Sequence, residues 1–447
     1  MGKTEPVVGL VFFPAFDWCI TPDHPERQER LLYTRDQIQE EGLFDHPRIR
    51  EFRPRLADPG EILRTHVVLP SLERNITESH RIAAGGTMVA GDLVVDGVVD
   101  RSFALLRPPG HHANRIVHGA RGFCVINNEA IMVDHLRSRL GPDLRVAIVD
   151  TDAHHADGTQ DIFYNDPGVL HISLHQDGRT LYPGTGFLSE RGGPAAYGQT
   201  VNIPLPPGTG DEGMLMALEE VVLPILEEWQ PDLVINAAGQ DNHFSDPITN
   251  MGFSAQGYAR LTDLLAPDIV VLEGGYSIES ALPYINVGLL LALAGLDYSK
   301  VREPGGGRRS QSREITRQVA EICRQAKELW DTRGQVDLKE VFGSGPFFER
   351  RRQIVYDTDQ IMESQQEYIR LCPSCPGWRV IYTSSTRNRT PAAAVLLPWK
   401  PCASCQGEAR EQYGELEKDQ RFSQVIWQEP KSGAGQAPTN LRGSEPR

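Results

Sequence analysis

Residues 146–158 read VAIVDTDAHHADG, an apolar run that ends in three aspartates and two histidines. The apolar part is short and bounded by turn-forming residues, which is typical of a strand buried on both faces of a parallel sheet. Asp152 and His154 alternate along the chain, so in an extended segment both side chains point to one face. So many charged groups at one strand end are costly to bury unless a divalent cation compensates them.

Five further apolar runs of this kind lie at 7–13, 103–106, 169–174, 233–237 and 269–272. Amphipathic helical patterns separate them, at 28–41, 78–95, 128–140, 213–229, 254–265 and 278–296. Asp211 is the expected N-cap of the fourth helix, and Pro224 is expected to kink it. Alternating strands and helices predict an α/β fold with a mostly parallel sheet, in which ligands bind at the carboxyl edge of the strands.

Three more polar clusters, at 107–113, 239–243 and 273–276, also follow predicted strands. Asp152 and His154 from one strand end and Asp241 from another would bind zinc and leave a coordination position open, as catalytic sites do. His111 or His112 could act as the base that activates water, with Asp150 and Asp157 accepting a ring N–H from each. Tyr276, on a glycine-rich turn, could donate its hydroxyl to a developing oxyanion. Together these groups predict an amide hydrolase.

These four clusters, with Gly122-Phe123-Cys124 and residues 182–186, resemble the zinc-dependent histone deacetylase family, whose superfamily includes acetylpolyamine amidohydrolases. The resemblance covers roughly residues 7–298, and Leu-Glu-Gly-Gly-Tyr at 272–276 is similar to the class II branch. It implies an arginase/deacetylase-like three-layer fold with a mostly parallel central sheet.

The resemblance also assigns roles by position. It implies zinc ligation by Asp152, His154 and Asp241, general acid–base catalysis by His112 with His111 as its electrostatic partner, and a carbonyl-polarising Tyr276. Asp150 and Asp157 match the carboxylate partners of the histidines, and Phe123 and Tyr182 match the aromatic walls of the acyl-lysine tunnel. A potassium ion around Asp150, Asp152, His154 and Ser173 is a secondary expectation. Ile248 stands where polyamine-selective relatives can carry a glutamate, which favours acetyl-lysine substrates.

The C-terminal region contains two Cys-x-x-Cys pairs, Cys372/Cys375 and Cys402/Cys405. Their spacing predicts one structural zinc held by four cysteines, resembling a zinc ribbon with strands at 378–384 and 392–397. The predicted organisation is a catalytic domain at 1–302, a linker at 303–314 and an extension at 315–429. The extension begins with a helix at 315–333 and contains the zinc-ribbon-like module at about 368–410. Residues 430–447 are expected to be a disordered tail.

The composition of the chain limits the classes of partner that the protein is expected to bind. The 447 residues include 45 Lys and Arg against 60 Asp and Glu, a net charge of −15 that disfavours nucleic acid as the main partner. No apolar run approaches the roughly 20 residues that a membrane span needs, and the N-terminus does not resemble a signal peptide, so we expect a cytoplasmic protein. The expected substrates are acetylated lysine in proteins or smaller acetylated amines. The C-terminal domain could mediate contact with a protein partner or a homo-oligomer.

Three alternatives to a lysine deacetylase stay open at this point. One is an acetylpolyamine or other small-amide amidohydrolase. A second is a binuclear manganese ureohydrolase, because Asp-Ala-His recurs there, although the Asp241 segment offers no Asp-x-Asp pair for a second metal. A non-enzymatic reader or scaffold is the third, which the complete set of predicted catalytic residues disfavours.

Overall fold

The computed structural model describes residues 5–305 and 310–430. Residues 306–309 of the predicted linker and residues 431–447 of the predicted tail therefore lie outside the described residues. The strands are β1 Val8–Phe13, β2 Ile49–Phe52, β3 Val67–Val68, β4 Arg101–Leu106, β5 Ile116–Val117, β6 Val146–Asp150, β7 Val169–Gln176, β8 Thr200–Leu205, β9 Leu233–Ala238, β10 Ile269–Leu272, β11 Phe347–Tyr356, β12 Ile361–Arg370, β13 Arg379–Ser385, β14 Ala392–Leu396 and β15 Gln424–Gln428.

The α-helices cover both faces of a central sheet and one face of a second sheet. They are α1 Glu29–Glu40, α2 Pro59–Thr65, α3 Leu72–Asn75, α4 Glu78–Val95, α5 Asn128–Leu140, α6 Asp157–Phe163, α7 Asp211–Ala217, α8 Leu223–Trp229, α9 Ala255–Leu265, α10 Leu282–Leu293, α11 Arg313–Asp331, α12 Leu338–Phe342 and α13 Ala403–Leu416. None of the helices in the described ranges is long and apolar enough to cross a bilayer.

The central sheet has eight strands in the order β2-β1-β4-β10-β9-β6-β7-β8, and every neighbouring pair is parallel. All six predicted strands are present, and the prediction of a mostly parallel sheet is confirmed. The two strands that the sequence did not reveal, β2 and β8, lie at the edges. β2 carries charged, exposed residues and β8 contains Pro204, which are both features of edge strands and weaken the apolar signal.

Strand residues alternate between two hydrophobic cores, one on each face of the sheet. On β4, Phe103 and Leu105 point into the core shared with α1, α9 and α10, whereas Ala104 and Leu106 point into the core shared with α4 and α5. This period-two alternation explains why the strands are apolar throughout. The result is a three-layer α/β/α arrangement in which the carboxyl ends of the strands share one edge.

Two details of the predicted helices differ from the structure. The predicted helix at 213–229 is interrupted by a π-helical segment, Leu218–Val222, immediately before Pro224. Because proline lacks an N–H and its ring crowds the preceding turn, the regular helix is interrupted close to the expected kink. Gly210, rather than Asp211, is the N-cap. The carboxylate of Asp211 instead accepts hydrogen bonds from the backbone N–H and hydroxyl of Ser254, 2.9 and 2.8 Å away, and joins α7 to α9.

The C-terminal region forms a second sheet, β11-β12-β13-β14-β15, which is antiparallel except for the β14–β15 pair. The predicted strands at 378–384 and 392–397 are β13 and β14. Helix α13 covers one face of this sheet. The other face packs Ile381, Ala394 and Leu396 against Val67 and Ile116 of the α/β body, which contains the central sheet. Helix α11 buries Val319 and Trp330 in the core of the central sheet. The C-terminal region is therefore built onto the α/β body through two separate apolar contacts.

Candidate active site

The four polar clusters follow β4, β10, β9 and β6, which are consecutive strands in the central sheet. Their carboxyl ends lie side by side, so the structure brings the four clusters together. The strand register fixes their depth, because Asp150 at the end of β6 lies beside Ser173 on β7 and Ala237 on β9.

Asp152, His154 and Asp241 form a buried group whose ligand atoms all lie within 4.8 Å of one another. The Nδ1 atom of His154 lies 3.0 Å from Asp152 Oδ1 and 2.9 Å from Asp241 Oδ2. Burial on its own would lower the pKa of His154, but the negative charges of Asp241 and Asp152 outweigh it and raise the pKa to about 10. The group thus stabilises a positive charge at its centre.

This donor set fits a zinc ion, for which two carboxylates and one imidazole leave a fourth position open. Two glycines leave room for the carboxylates of this group. A Cβ atom added at Gly239 would collide with the carboxylate of Asp152, and one added at Gly274 would collide with the carboxylate of Asp241. The Gly274 N–H donates to Asp152 Oδ2 at 2.8 Å and orients that carboxylate. Glycine is required at both positions because the carboxylates pack directly against the backbone.

The tandem histidines lie beside this group, each with its own carboxylate. His111 Nδ1 is 3.1 Å from Asp150 Oδ2, and His112 Nδ1 is 2.8 Å from Asp157 Oδ1. For His111, burial is outweighed by the negative charges around it, chiefly Asp152 and Asp150, which raise its pKa well above the usual value. For His112, burial and the neighbouring cationic groups lower the pKa well below the usual value. Such a separation of two pKa values is typical of an acid–base pair.

Glu273 positions the start of the tandem histidines, a role that sequence reasoning did not assign to it. Its Oε2 atom accepts the backbone N–H groups of Gly110 and His111 at 2.9 and 3.0 Å. Burial, together with the negative charge of the nearby Glu129, raises the pKa of Glu273 well above the usual value, so its protonated form is favoured. The feature of the sequence that could have indicated this role is the position of Glu273 directly after β10.

Tyr276 is held in place by α1 and by a loop carboxylate. Arg30 donates to the carbonyl oxygens of Gly275 (2.8 Å) and Glu273 (2.5 Å), and its guanidinium lies 4.9 Å from the centre of the Tyr276 ring. The Tyr276 N–H donates to Asp246 Oδ2 at 2.7 Å. Burial raises the pKa of the Tyr276 phenol well above its usual value, so the hydroxyl remains a proton donor.

The predicted aromatic walls flank these groups. The ring of Phe123 lies edge-on to Tyr276 at 5.7 Å between centroids, and the ring of Tyr182 lies edge-on to His112 at 5.1 Å. Phe123 has φ +68°, a left-handed conformation that is unusual for an aromatic residue and typical of strained functional sites. The preceding Gly122 passes so close to the His112 ring that a Cβ atom would collide with it. Glycine at position 122 therefore allows the backbone that carries Phe123 to pass beside the His112 ring.

Ile248 lies on the loop after Asp246 and is half-buried. Its N–H donates to Asp246 Oδ1 at 3.0 Å, so Asp246 anchors both this loop and the Tyr276 turn. The structure thus connects Ile248 to the site through a shared carboxylate.

Two further residues complete the rim of the site, and no sequence pattern pointed to them. Arg121 forms an ion pair with Asp157 and donates to the Tyr182 hydroxyl at 2.7 Å. Asp357, at the turn between β11 and β12, accepts the Tyr182 hydroxyl at 2.9 Å and the Gly122 N–H at 3.0 Å. A carboxylate from the second sheet therefore lies against the aromatic wall of the site.

The four C-terminal cysteines form a second group with metal-ligand geometry. Cys372 and Cys375 follow β12, and Cys402 and Cys405 lie at the start of α13. Backbone N–H groups point at the sulfur atoms, from Ser374 to Cys372 and from Gly377 to Cys375, both at 3.4 Å. Four sulfur ligands and N–H donors of this kind fit a structural zinc, which favours a closed tetrahedral set of thiolates.

The sequence and the fold are similar to those of known deacetylases. Residues 70–286 match the model of the histone deacetylase domain. A probable deacetylase from Archaeoglobus fulgidus is 46% identical over 326 residues, which cover 67% of this chain and 89% of that protein. A histone deacetylase-like amidohydrolase from Pseudomonas aeruginosa is 36% identical over 236 residues, covering 51% of this chain and 60% of that protein. A crystal structure of the HDA15 HD domain superposes with a TM-score of 0.64 and 28% identity, covering 74% of this chain and 98% of that one.

The fold, the site and these matches define a deacetylase-type hydrolase that acts on amide bonds. The chain belongs to the histone deacetylase family. This confirms the predicted family, and the family implies a catalytic zinc, for which the Asp152, His154 and Asp241 group is suited.

Proposed function

We propose that this protein removes acetyl groups from the lysine side chains of proteins. The observation that carries the proposal is the arrangement of the metal-ligand group, the tandem histidines and Tyr276 behind an aromatic wall, which suits an amide at the end of a long, thin side chain. Asp152, His154 and Asp241 would hold the zinc, which when bound supplies Lewis acidity toward a carbonyl oxygen and a water molecule.

The chain's own groups then divide the proton transfers. His112 accepts the proton of the attacking water at Nε2 and later delivers it to the leaving amine, while Asp157 accepts its Nδ1–H and fixes the ring. His111, oriented by Asp150 and Glu273, contributes positive charge beside the reaction. The Tyr276 hydroxyl donates to the developing oxyanion, and Phe123 and Tyr182 exclude water from the acyl-bearing chain.

A small N-acetylated amine, such as an acetylpolyamine, is the second candidate substrate. Asp357 supports it, because a carboxylate at the wall of the site attracts a second ammonium group on the substrate. The half-buried Ile248 favours the protein substrate, since an apolar side chain offers such an ammonium no partner.

Acetate release by the zinc-loaded protein tests both proposals, with an acetyl-lysine peptide and acetylputrescine assayed side by side. A higher kcat/KM for the peptide supports the protein deacetylase, and the reverse order supports the amine. Asp357→Asn should lower kcat/KM for acetylputrescine selectively if the amine is the substrate. Activity on neither compound would contradict both.

Tyr276→Phe tests the mechanism on whichever substrate is active. Loss of one oxyanion donor is expected to reduce kcat by about 100- to 1000-fold with little change in KM. The matched control is Tyr298→Phe. The Tyr298 hydroxyl lies outside the site and donates to Asp263 Oδ2 at 2.9 Å. Unchanged turnover in Tyr276→Phe would remove that residue from the mechanism.

The remaining sites and boundaries belong to the same proposal. The four cysteines would hold a structural zinc in a zinc-ribbon-like module at about 368–410, and a potassium ion would sit near Asp150 and Ser173. Residues 1–302 would form the catalytic domain and 315–429 an extension. Metal analysis finding about two zinc ions per chain would support this assignment of the two zinc sites.

A further inference from the structure

A cavity of about 440 Å³ lies between the α/β body and the second sheet, away from the metal-ligand group. Helices α2, α5 and α6 line one side of it. The other side consists of the segment that contains Cys375 and the segment that follows β14. The volume is within the range of small-molecule binding sites.

The lining is rich in positive charge. Six basic side chains contribute to it: Arg64, Arg115, Arg137, Arg145, Arg379 and Lys400. The three acidic side chains of the lining, Asp134, Asp143 and Asp166, are each already paired with one of these bases. Arg379 pairs with Glu367, which lies outside the lining, so the excess positive charge of the cavity comes from Arg115 and Arg145.

Of these two arginines, Arg115 is the one with a buried side-chain nitrogen that has no partner. Its guanidinium donates to the carbonyl oxygens of Thr65 (3.0 Å) and Ile162 (2.8 Å) and to Gln428 Oε1 (3.0 Å), while its Nε atom is buried without a partner. Across residues 5–305 and 310–430, no carboxylate lies within ion-pair distance of this guanidinium. Burial, reinforced by the nearby charge of Arg379, lowers the pKa of Arg115 to about 10. A half-buried charge whose hydrogen-bond partners are all neutral is stabilised when an anion joins it.

The rest of the lining is apolar. Phe163 and Leu397 are buried, and Trp399 and Leu396 extend the same surface. A site of this kind favours a ligand with both an apolar body and a charged group over a bare inorganic ion, since each part of the ligand then meets a matching part of the wall.

We propose that the cavity binds a small organic anion, with its charged group directed to Arg115 and its apolar body against Phe163, Leu397 and Trp399. The ligand would bridge the α/β body and the second sheet. This site is independent of the proposed deacetylase activity, because its lining contains none of the metal ligands or tandem histidines.

The test is calorimetric titration of the full-length, zinc-loaded protein with naphthalene-1-sulfonate, an aromatic anion. We expect saturable binding of one probe per chain and at least tenfold weaker binding of neutral naphthalene-1-methanol. Equal affinity for the two compounds, or no binding of the anion at millimolar concentration, overturns the proposal.

Variants locate the bound probe. Arg115→Met should weaken binding at least tenfold, whereas the exposed charge reversal Arg317→Glu on α11 should leave it unchanged. Lys400→Glu reverses an exposed charge at the rim and should weaken binding severalfold, which keeps the test valid if Arg115→Met does not fold. Unchanged affinity in both cavity variants, or loss of binding in Asp241→Asn, would place the probe elsewhere.

The chain's own residues 431–447 are the competing occupant, because they follow Pro430 in the cavity lining. A chain that ends at residue 430 distinguishes the two. Equal probe affinity in both chains supports a free ligand. Binding only after removal of the segment overturns the proposal in favour of self-occupancy.

Discussion

His66 joins the two ends of the loop that carries Phe123, and its protonation should release that loop. Its Nδ1–H donates to the carbonyl oxygen of Asn114 and its Nε2 accepts the N–H of Asn127, both at 2.9 Å. Burial, with a further contribution from Arg115, lowers the pKa of His66 from 6.5 to about 3. A second ring proton would leave the Asn127 N–H without an acceptor in a buried position, so the folded state requires the neutral ring.

The pH dependence follows from the two pKa values. The unfolded chain binds a proton at His66 below pH 6.5, whereas the folded protein does so only near pH 3. The stability contributed by the neutral ring is therefore complete above pH 6.5 and is lost progressively as the pH falls toward 3. Between about pH 7.5 and 5.5, His66 alone should lower the free energy of unfolding by about 1.3 kcal/mol.

Urea unfolding of the wild type and of His66→Gln at both pH values isolates this contribution, because all other titrating groups cancel in the difference. Glutamine does not titrate, so the stability advantage of the wild type should shrink by about 1.3 kcal/mol at the lower pH. Gln39→Asn, an exposed change on α1, should follow the wild type. Equal pH dependence in the wild type and His66→Gln would refute the reasoning.

Three further changes test the metal sites and the contact between the α/β body and the second sheet. Gly274→Ala places a methyl group against the carboxylates of the metal-ligand group. It should weaken the affinity for the catalytic metal by about 10- to 100-fold, measured by metal titration. Cys405→Ser should remove the structural metal and lower the unfolding midpoint by about 5 °C or more, measured by calorimetry. Asp161→Asn removes the buried carboxylate that Arg350 and Arg352 contact at 3.0 and 2.6 Å, and should cost about 3 kcal/mol in urea unfolding.

The outcomes that contradict these expectations are specific. Metal affinity unchanged in Gly274→Ala would mean that the carboxylates do not need the space beside this glycine. Full metal content in Cys405→Ser would reject the four-cysteine site. Wild-type stability in Asp161→Asn would mean that the two arginines find sufficient compensation in Glu367 alone, which Arg350 contacts at 2.6 Å.

The strands and the polar clusters could be predicted because both follow from local pattern. A strand buried on two faces is apolar throughout, so 146–149 and 269–272 stand out without knowledge of their neighbours. Since parallel strands end at a common edge, Asp152, Asp241 and Tyr276 could be placed together before the strand order was known. The order itself, β4-β10-β9-β6, depends on contacts between distant segments.

The second sheet was only partly predictable, because its inner face breaks the apolar pattern. Residues Glu363, Gln365 and Glu367 of β12 are buried, and their partners come from other strands. Glu367 pairs with Arg350 and Arg379, and the carboxyl of Glu363 lies 2.8 Å from the hydroxyl oxygen of Tyr356. Hydrophobic periodicity cannot register a strand whose buried residues are charged and become favourable only once the sheet has formed.

The same sheet contributes to the candidate active site, which explains why Asp357 and Arg121 escaped prediction. The Tyr356 hydroxyl donates to the carbonyl oxygen of Ile116 at 2.8 Å, and the next residue, Asp357, contacts Tyr182 and Gly122. Arg121 continues this chain of contacts to Asp157, the carboxylate partner of His112. A displacement of the β11–β12 hairpin would therefore also shift the aromatic wall and the tandem histidines, because hydrogen bonds and the Arg121–Asp157 ion pair join them to it. The second sheet is thus part of the support of the site, in addition to any role of its four cysteines.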